Sequence, residues 1–116
     1  MSWRPGLADP LPTKLVRVAS VSDLEPETAK QVEAGGVVLC LARTDDGEYC
    51  ALDDECSHEE YSLSEGEVWA DEIECPAHGS KFNLRTGAVR GFPATQPVRA
   101  YPVRIQGDDV MVEVPS

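Results

Sequence analysis

Four residues have the types and spacing to hold metal: Cys56 and His58 in the run Cys56-Ser57-His58, and Cys75 and His78 in Cys75-Pro76-Ala77-His78. The two runs hold both histidines of the chain and two of its four cysteines. As spacing this is C-x-H, sixteen residues, then C-x-x-H. Thiolate and imidazole together select zinc, copper or iron, and two pairs on two loops can converge on one site with four protein ligands. Two arrangements compete. A mononuclear zinc site usually keeps like ligands together, a Cys pair followed by a His pair, whereas each run here mixes one of each. The mixed order fits a binuclear centre in which each loop gives its Cys to one metal and its His to the other, the form of a 2Fe-2S cluster with Cys on one iron and His on the other.

The segments around these loops read as short strands. Residues 1–13 carry Pro5, Pro10 and Pro12 and little periodicity, and are expected to form an irregular arm ahead of a single domain over 14–116. Leu15, Val16, Val18 and Val21 mark a first strand, and Thr28 to Glu33 a second. After Gly35-Gly36, Val37 to Leu41 reads as a buried strand, and Asp45-Asp46-Gly47 turns it into Glu48 to Leu52 as a hairpin. Glu67-Val68-Trp69, Asp71 to Glu74 and Lys81 to Leu84 are short strand candidates, with Thr86-Gly87 as a turn. Val98 to Ile105, Gly107-Asp108-Asp109 and Val110 to Val114 predict a second hairpin. No stretch of ten or more residues shows a helical period. The expected class is all-β, a small antiparallel β-sandwich or barrel.

With 116 residues, 41% of them hydrophobic, the chain has the length of one domain. Its net charge of -11 argues against nucleic acid or an anionic membrane surface as partner. The longest unbroken apolar run, Val37 to Ala42, is far shorter than the about 20 residues of a spanning helix. A cytoplasmic location is expected, and there cysteines more often bind metal or catalyse than form disulfides. The charge is local: residues 45–74 hold thirteen acidic side chains and no Lys or Arg, while the rest of the chain has a net charge of +2. Tyr49, Leu52, Tyr61, Leu63, Val68, Trp69 and Ile73 interleave those acids, which predicts a folded acidic face rather than a disordered tail.

The sequence resembles the Rieske ferredoxins over roughly residues 15–114. The resemblance rests on the two ligand runs, on Gly79-Ser80 and Phe82-Asn83-Leu84-Arg85-Thr86-Gly87 after the second, and on Gly91-Phe92-Pro93, which is similar to the family's third, proline-containing loop. It implies a Rieske-like β-sandwich with a subdomain of two ligand loops and a proline loop, binding one 2Fe-2S cluster. Cys56 and Cys75 would hold the inner iron, His58 and His78 the outer, and Ser80 would bond a bridging sulfide. Tyr61 and Ala77 stand where cytochrome-type Rieske domains carry two further cysteines, so the disulfide of those domains is excluded. Phe82 stands where those domains place a Tyr that donates to a ligand sulfur. With that donor missing, a potential in the lower part of the Rieske range is expected. Two ferric ions, two sulfides and two thiolates sum to zero charge, so an added electron makes the cluster negative, and nearby carboxylates oppose it.

What the resemblance implies is one-electron transfer rather than catalysis. The expected carrier takes electrons from an NAD(P)H-dependent flavin reductase and passes them to a non-haem iron dioxygenase. It is expected to act as a monomer whose acidic face docks basic patches on its partners. The alternatives are an accessory or redox partner of iron-sulfur cluster assembly, which Ser62 to Val68 and Gly91 to Val98 resemble, and a colourless zinc module. Cys40 and Cys50 are expected to be small buried side chains, and Trp69 and Tyr61 to serve core packing or loop support.

Overall fold

The structure is a computed structural model and describes residues 13–56, 61–77, 79–91, 94 and 96–115. The expected irregular arm therefore lies, apart from Thr13, outside the described residues, and Thr13 already opens a strand. No α-helix occurs among the described residues, and no helix is long and apolar enough to cross a membrane. The strands are β1 (Thr13–Ser20), β2 (Thr28–Ala34), β3 (Val37–Arg43), β4 (Tyr49–Asp53), β5 (Glu67–Trp69), β6 (Glu72–Glu74), β7 (Lys81–Asn83), β8 (Val89–Gly91), β9 (Ala100–Tyr101), β10 (Val103–Gln106) and β11 (Asp109–Pro115). A 3-10 turn spans Leu63–Glu65.

All pairings are antiparallel and build three sheets, ordered β1-β11-β10, β2-β3-β4-β9 and β5-β6-β7-β8. The middle sheet explains the unbroken apolar run. Successive side chains point to opposite faces of a strand, and here both faces are covered. Leu39, Leu41, Tyr49 and Ala51 enter one core with Val110, Val112 and Val114 of β11. Cys40, Ala42, Cys50 and Leu52 enter a second core with Leu63, Val68, Ile73, Phe82 and Leu84. A strand buried on both sides cannot alternate apolar with polar residues. Cys40 and Cys50 are buried, as expected from the sequence, and burial pushes the Cys50 thiol up to about 11, with Glu48 adding to the shift.

The expected β3–β4 hairpin forms, and Gly47, at φ 90°, closes its turn by donating its N–H to the Thr44 carbonyl at 3.0 Å. The expected strand from Val98 to Ile105 instead divides at Pro102: β9 joins the middle sheet beside β4, and β10 the outer sheet beside β11. Proline has no N–H for a ladder and marks the crossing between sheets. The sequence reading also missed β8, whose Val89-Arg90-Gly91 is too short to show a period. Trp69 and Tyr61 depart from the core-packing expectation, at 57% and 51% exposed. In β5 the pleat turns Val68 inward and therefore Trp69 outward.

Candidate metal centre

Each candidate cysteine sits at the mouth of a loop closed by backbone hydrogen bonds. The chain leaves β4 through Asp54 and Glu55; Glu55 bridges to Ser62, and the Cys56 N–H donates to the Tyr61 carbonyl at 2.9 Å. The second loop joins β6 to β7. There the Cys75 N–H donates to the Ser80 carbonyl at 2.7 Å, and the Gly79 N–H to the Cys75 carbonyl at 3.1 Å. The two closures bring Cys56, 3% exposed, and Cys75, 1% exposed, into one buried side-chain cluster with Leu63, Phe82 and Ala94. No disulfide joins any of the four cysteines.

His58 and His78 lie outside the described residues, as do Phe92 and Pro93 of the expected third loop. Among the described residues, accordingly, no group of three metal-ligating side chains comes together. Ser80 is described and buried, and its Oγ accepts the Ala94 N–H at 3.0 Å. That bond ties the second ligand loop to the segment that follows Pro93. A hydroxyl accepting one bond still has its own proton to donate.

A centre with two thiolates on one metal fits this arrangement. Two thiols gathered from loops nineteen residues apart in one buried cluster are a sulfur donor set, which selects iron-sulfur or zinc chemistry over hard cations. His58 and His78 stand inside the two closed loops in sequence, which puts the remaining donors on the same two loops.

Beside Cys56 runs a groove lined by Val38, Asp53, Glu55, Tyr61, Pro97 and Arg99. At one side of it the Tyr101 hydroxyl donates to Asp53 Oδ1 at 2.6 Å. Burial, and then this bond, push the Tyr101 phenol up to about 12, while the Arg99 guanidinium stacks 4.8 Å from its ring centroid. Asp54 is buried. Burial alone would raise its carboxyl, but hydrogen bonds from Gln31 and Ser64 outweigh that and hold it below the usual range.

The acidic stretch does not act as one face. Arg85, from outside it, donates to Glu48, to Asp46 at 3.2 Å and to Asp71 at 3.1 Å, and Arg90 adds a bond to Asp71 at 2.9 Å. These pairs join the β3–β4 turn to the β5–β6 turn and offset part of the charge there, two guanidiniums standing against Asp46, Glu48, Asp71 and Glu72. The hydrogen bond from Arg90 holds the Asp71 carboxyl below its ordinary range. The β5–β6 turn is held from below as well: Ala70, at φ 55°, donates its N–H to Glu27 Oε2 at 2.9 Å, and its carbonyl accepts the Asp45 N–H at 3.1 Å. Among the described residues, Asp53, Asp54, Glu55, Glu65, Glu67 and Glu74 make no ion pair with Lys or Arg. Asp53, Asp54 and Glu55 immediately precede Cys56.

Residues 14–102 match the family model described as the Rieske [2Fe-2S] domain. The chain is 37% identical over 100 residues to the ferredoxin component of biphenyl 2,3-dioxygenase from Rhodococcus jostii (strain RHA1), covering 86% of this chain and 92% of that protein. Its structure is similar to the ferredoxin of carbazole 1,9a-dioxygenase from Nocardioides aromaticivorans IC177, with a TM-score of 0.82, 36% identity, and coverage of 88% of this chain and 98% of that one. It is also similar to a chain in the solved complex of reduced oxygenase and oxidized ferredoxin in carbazole 1,9a-dioxygenase, with a TM-score of 0.78, 36% identity, and coverage of 84% and 99%.

Proposed function

The chain belongs to the Rieske [2Fe-2S] domain family, and from that membership we propose that it is the ferredoxin component of a ring-hydroxylating dioxygenase system, an electron carrier rather than an enzyme. The observation that carries the site is the joint burial of Cys56 and Cys75 at the mouths of two closed loops. When bound, the cluster supplies a one-electron couple. Cys56 and Cys75 would hold the inner iron and His58 and His78 the outer one, as the family's ligand pattern implies. Ser80 would keep its proton for a bridging sulfide while its oxygen holds the Ala94 N–H. The two cores share the middle sheet, which supports reading residues 14–116 as one domain.

Electrons come from a flavin-dependent reductase and leave to a terminal oxygenase, each docking through a basic patch. The complex of oxygenase and ferredoxin solved for carbazole 1,9a-dioxygenase supports the second partner. Exposed Glu55, next to Cys56 and without an ion pair to Lys or Arg among the described residues, supports the basic patch. Buried, free thiols at Cys40 and Cys50 fit a reducing, cytoplasmic compartment. The carrier works as a monomer, which sedimentation checks.

The test is spectroscopic first and kinetic second. Purified protein is expected to be coloured, to hold two irons and two sulfides per chain, and to give a rhombic EPR signal of low average g on reduction. It should then pass electrons from NAD(P)H and a flavin reductase to a ring-hydroxylating oxygenase. A colourless protein holding zinc overturns the proposal.

A further inference from the structure

Asp54 is a buried carboxylate that the electron-transfer reading leaves without a role. It is 3% exposed, and its bonds reach three separate parts of the chain. Oδ2 accepts from Gln31 Nε2 of β2 at 2.7 Å, and Oδ1 from the Ser64 N–H of the 3-10 turn at 2.8 Å. Its carbonyl accepts the Leu63 N–H, and its own N–H donates to the Val38 carbonyl of β3 at 3.3 Å. Residues 55–62, which include Cys56 and His58, lie between Asp54 and the turn it grips. The neck of the first ligand loop is thus closed three times in succession: by Asp54 on Leu63 and Ser64, by Glu55 on Ser62, and by Cys56 on Tyr61.

Both oxygens of the carboxylate accept from N–H donors, which is the bonding of the ionised acid. These donors are neutral, and no described Lys or Arg pairs with it. The charge is therefore buried and, among the described residues, without a cationic partner. The backbone sets that charge two residues from Cys56, which shares one buried cluster with Cys75. A negative charge in a poorly screened interior opposes the arrival of an electron nearby far more than an exposed one does.

We propose that Asp54 is a positioning residue which fixes the neck of the first ligand loop and whose buried charge holds the reduction potential of the centre down. This rests on the reading of Cys56 and His58 as ligands. Three variants separate the two effects. Asp54→Asn removes the charge and keeps the shape; Gln31→Leu removes one bond and keeps the charge; Asp108→Asn removes an exposed charge on the β10–β11 turn.

Spectroelectrochemical titration of the loaded proteins is expected to show the equilibrium constant for reduction raised about tenfold in Asp54→Asn, or about 59 mV. Gln31→Leu and Asp108→Asn are expected to stay near the parent value. Hydrogen exchange of the loaded proteins should show the Ser64 amide, whose acceptor loses its charge, exchanging at least tenfold faster in Asp54→Asn, with amides of the β1–β11 pair unchanged. An Asp54→Asn potential that moves no further than that of Asp108→Asn, or unchanged exchange at Ser64, overturns the inference. The parent protein's own spectrum reports separately on the ligand reading. If it lacks the Rieske signature, the ligand assignment has failed; if it has the signature and Asp54→Asn behaves as the parent does, only the role of Asp54 has failed.

Discussion

Phe82→Tyr tests whether the site's potential is set by hydrogen bonds to ligand sulfur. Phe82 lies in β7, pairs with Ile73 across the small sheet, and is wholly buried in the cluster that contains Cys56 and Cys75. The resemblance aligns this place with a Tyr of cytochrome-type Rieske domains, so the variant would supply the donor that Phe82 lacks. A hydrogen bond to a charged acceptor contributes about 1.5–3 kcal/mol. Only the part that strengthens when the centre gains an electron moves the potential. If that part is about half, the shift is upward by roughly 30–65 mV, at about 59 mV for each 1.4 kcal/mol. The same substitution checks itself through stability. A buried hydroxyl that finds no partner costs about 1–3 kcal/mol, whereas one that reaches sulfur is close to neutral. The assay is a redox titration of parent and variant beside urea unfolding of the same samples. A rise in potential with an unmoved unfolding midpoint is the expected result. An unmoved potential with a lowered midpoint shows that position 82 does not face a ligand sulfur, and refutes the reasoning.

The parent midpoint itself is expected in the lower part of the about -150 to +300 mV Rieske range, and a value well above zero contradicts the combined reading of the missing donor and the nearby carboxylates. Electron transfer to the oxygenase should slow as salt rises, and stopped-flow rates at low salt should fall more in Glu55→Gln, beside Cys56, than in Glu48→Gln, which pairs with Arg85; equal effects would remove the distinction between the two halves of the acidic stretch. Tyr101 links stability to alkaline pH: its folded pKa is raised from the ordinary 10 to about 12, so the contribution is complete below pH 10 and lost as pH rises through 12. That loss is up to about 2–3 kcal/mol at 1.36 kcal/mol per unit. Unfolding midpoints should drop less steeply across this window in Tyr101→Phe than in the parent, and parallel curves would show that the phenol is not linked to folding.

The parts of the site that were legible in the sequence are those where chemistry dictates residue type. Thiolates and imidazoles suit such a centre, so Cys56, His58, Cys75 and His78 are proposed from identity and spacing; the structure buries Cys56 and Cys75 in one cluster, and His58 and His78 lie outside the described residues. Strands were legible where pattern and turn residues agree, as at β3, Asp45-Asp46-Gly47 and β4. The strand from Val98 was misjudged because its apolar residues continue through Pro102 although the backbone ladder cannot; a proline inside a run is the signal that could have split it. Of the two roles expected of Trp69, core packing or loop support, register excludes the first. The alternation of Glu67, Val68 and Trp69 puts Trp69 on the side of Glu67, which is exposed.

Tertiary neutralisation is a different matter, since no local pattern encodes it. Arg85 meets Glu48 and Asp46 across 37 and 39 residues. A sequence sum therefore overstates the field at the β3–β4 and β5–β6 turns, where the acids mainly fasten the small sheet to the middle one. Asp54 errs in the opposite direction. In the sequence it is one acid among thirteen, but burial removes the solvent screening that weakens the others, and its two N–H partners keep it charged there. The electrostatic influence of the stretch on the redox centre thus follows depth and pairing rather than count. Paired carboxylates at the turns should be nearly silent in both potential and docking, exposed ones beside Cys56 should act on association, and the buried one should act on the potential.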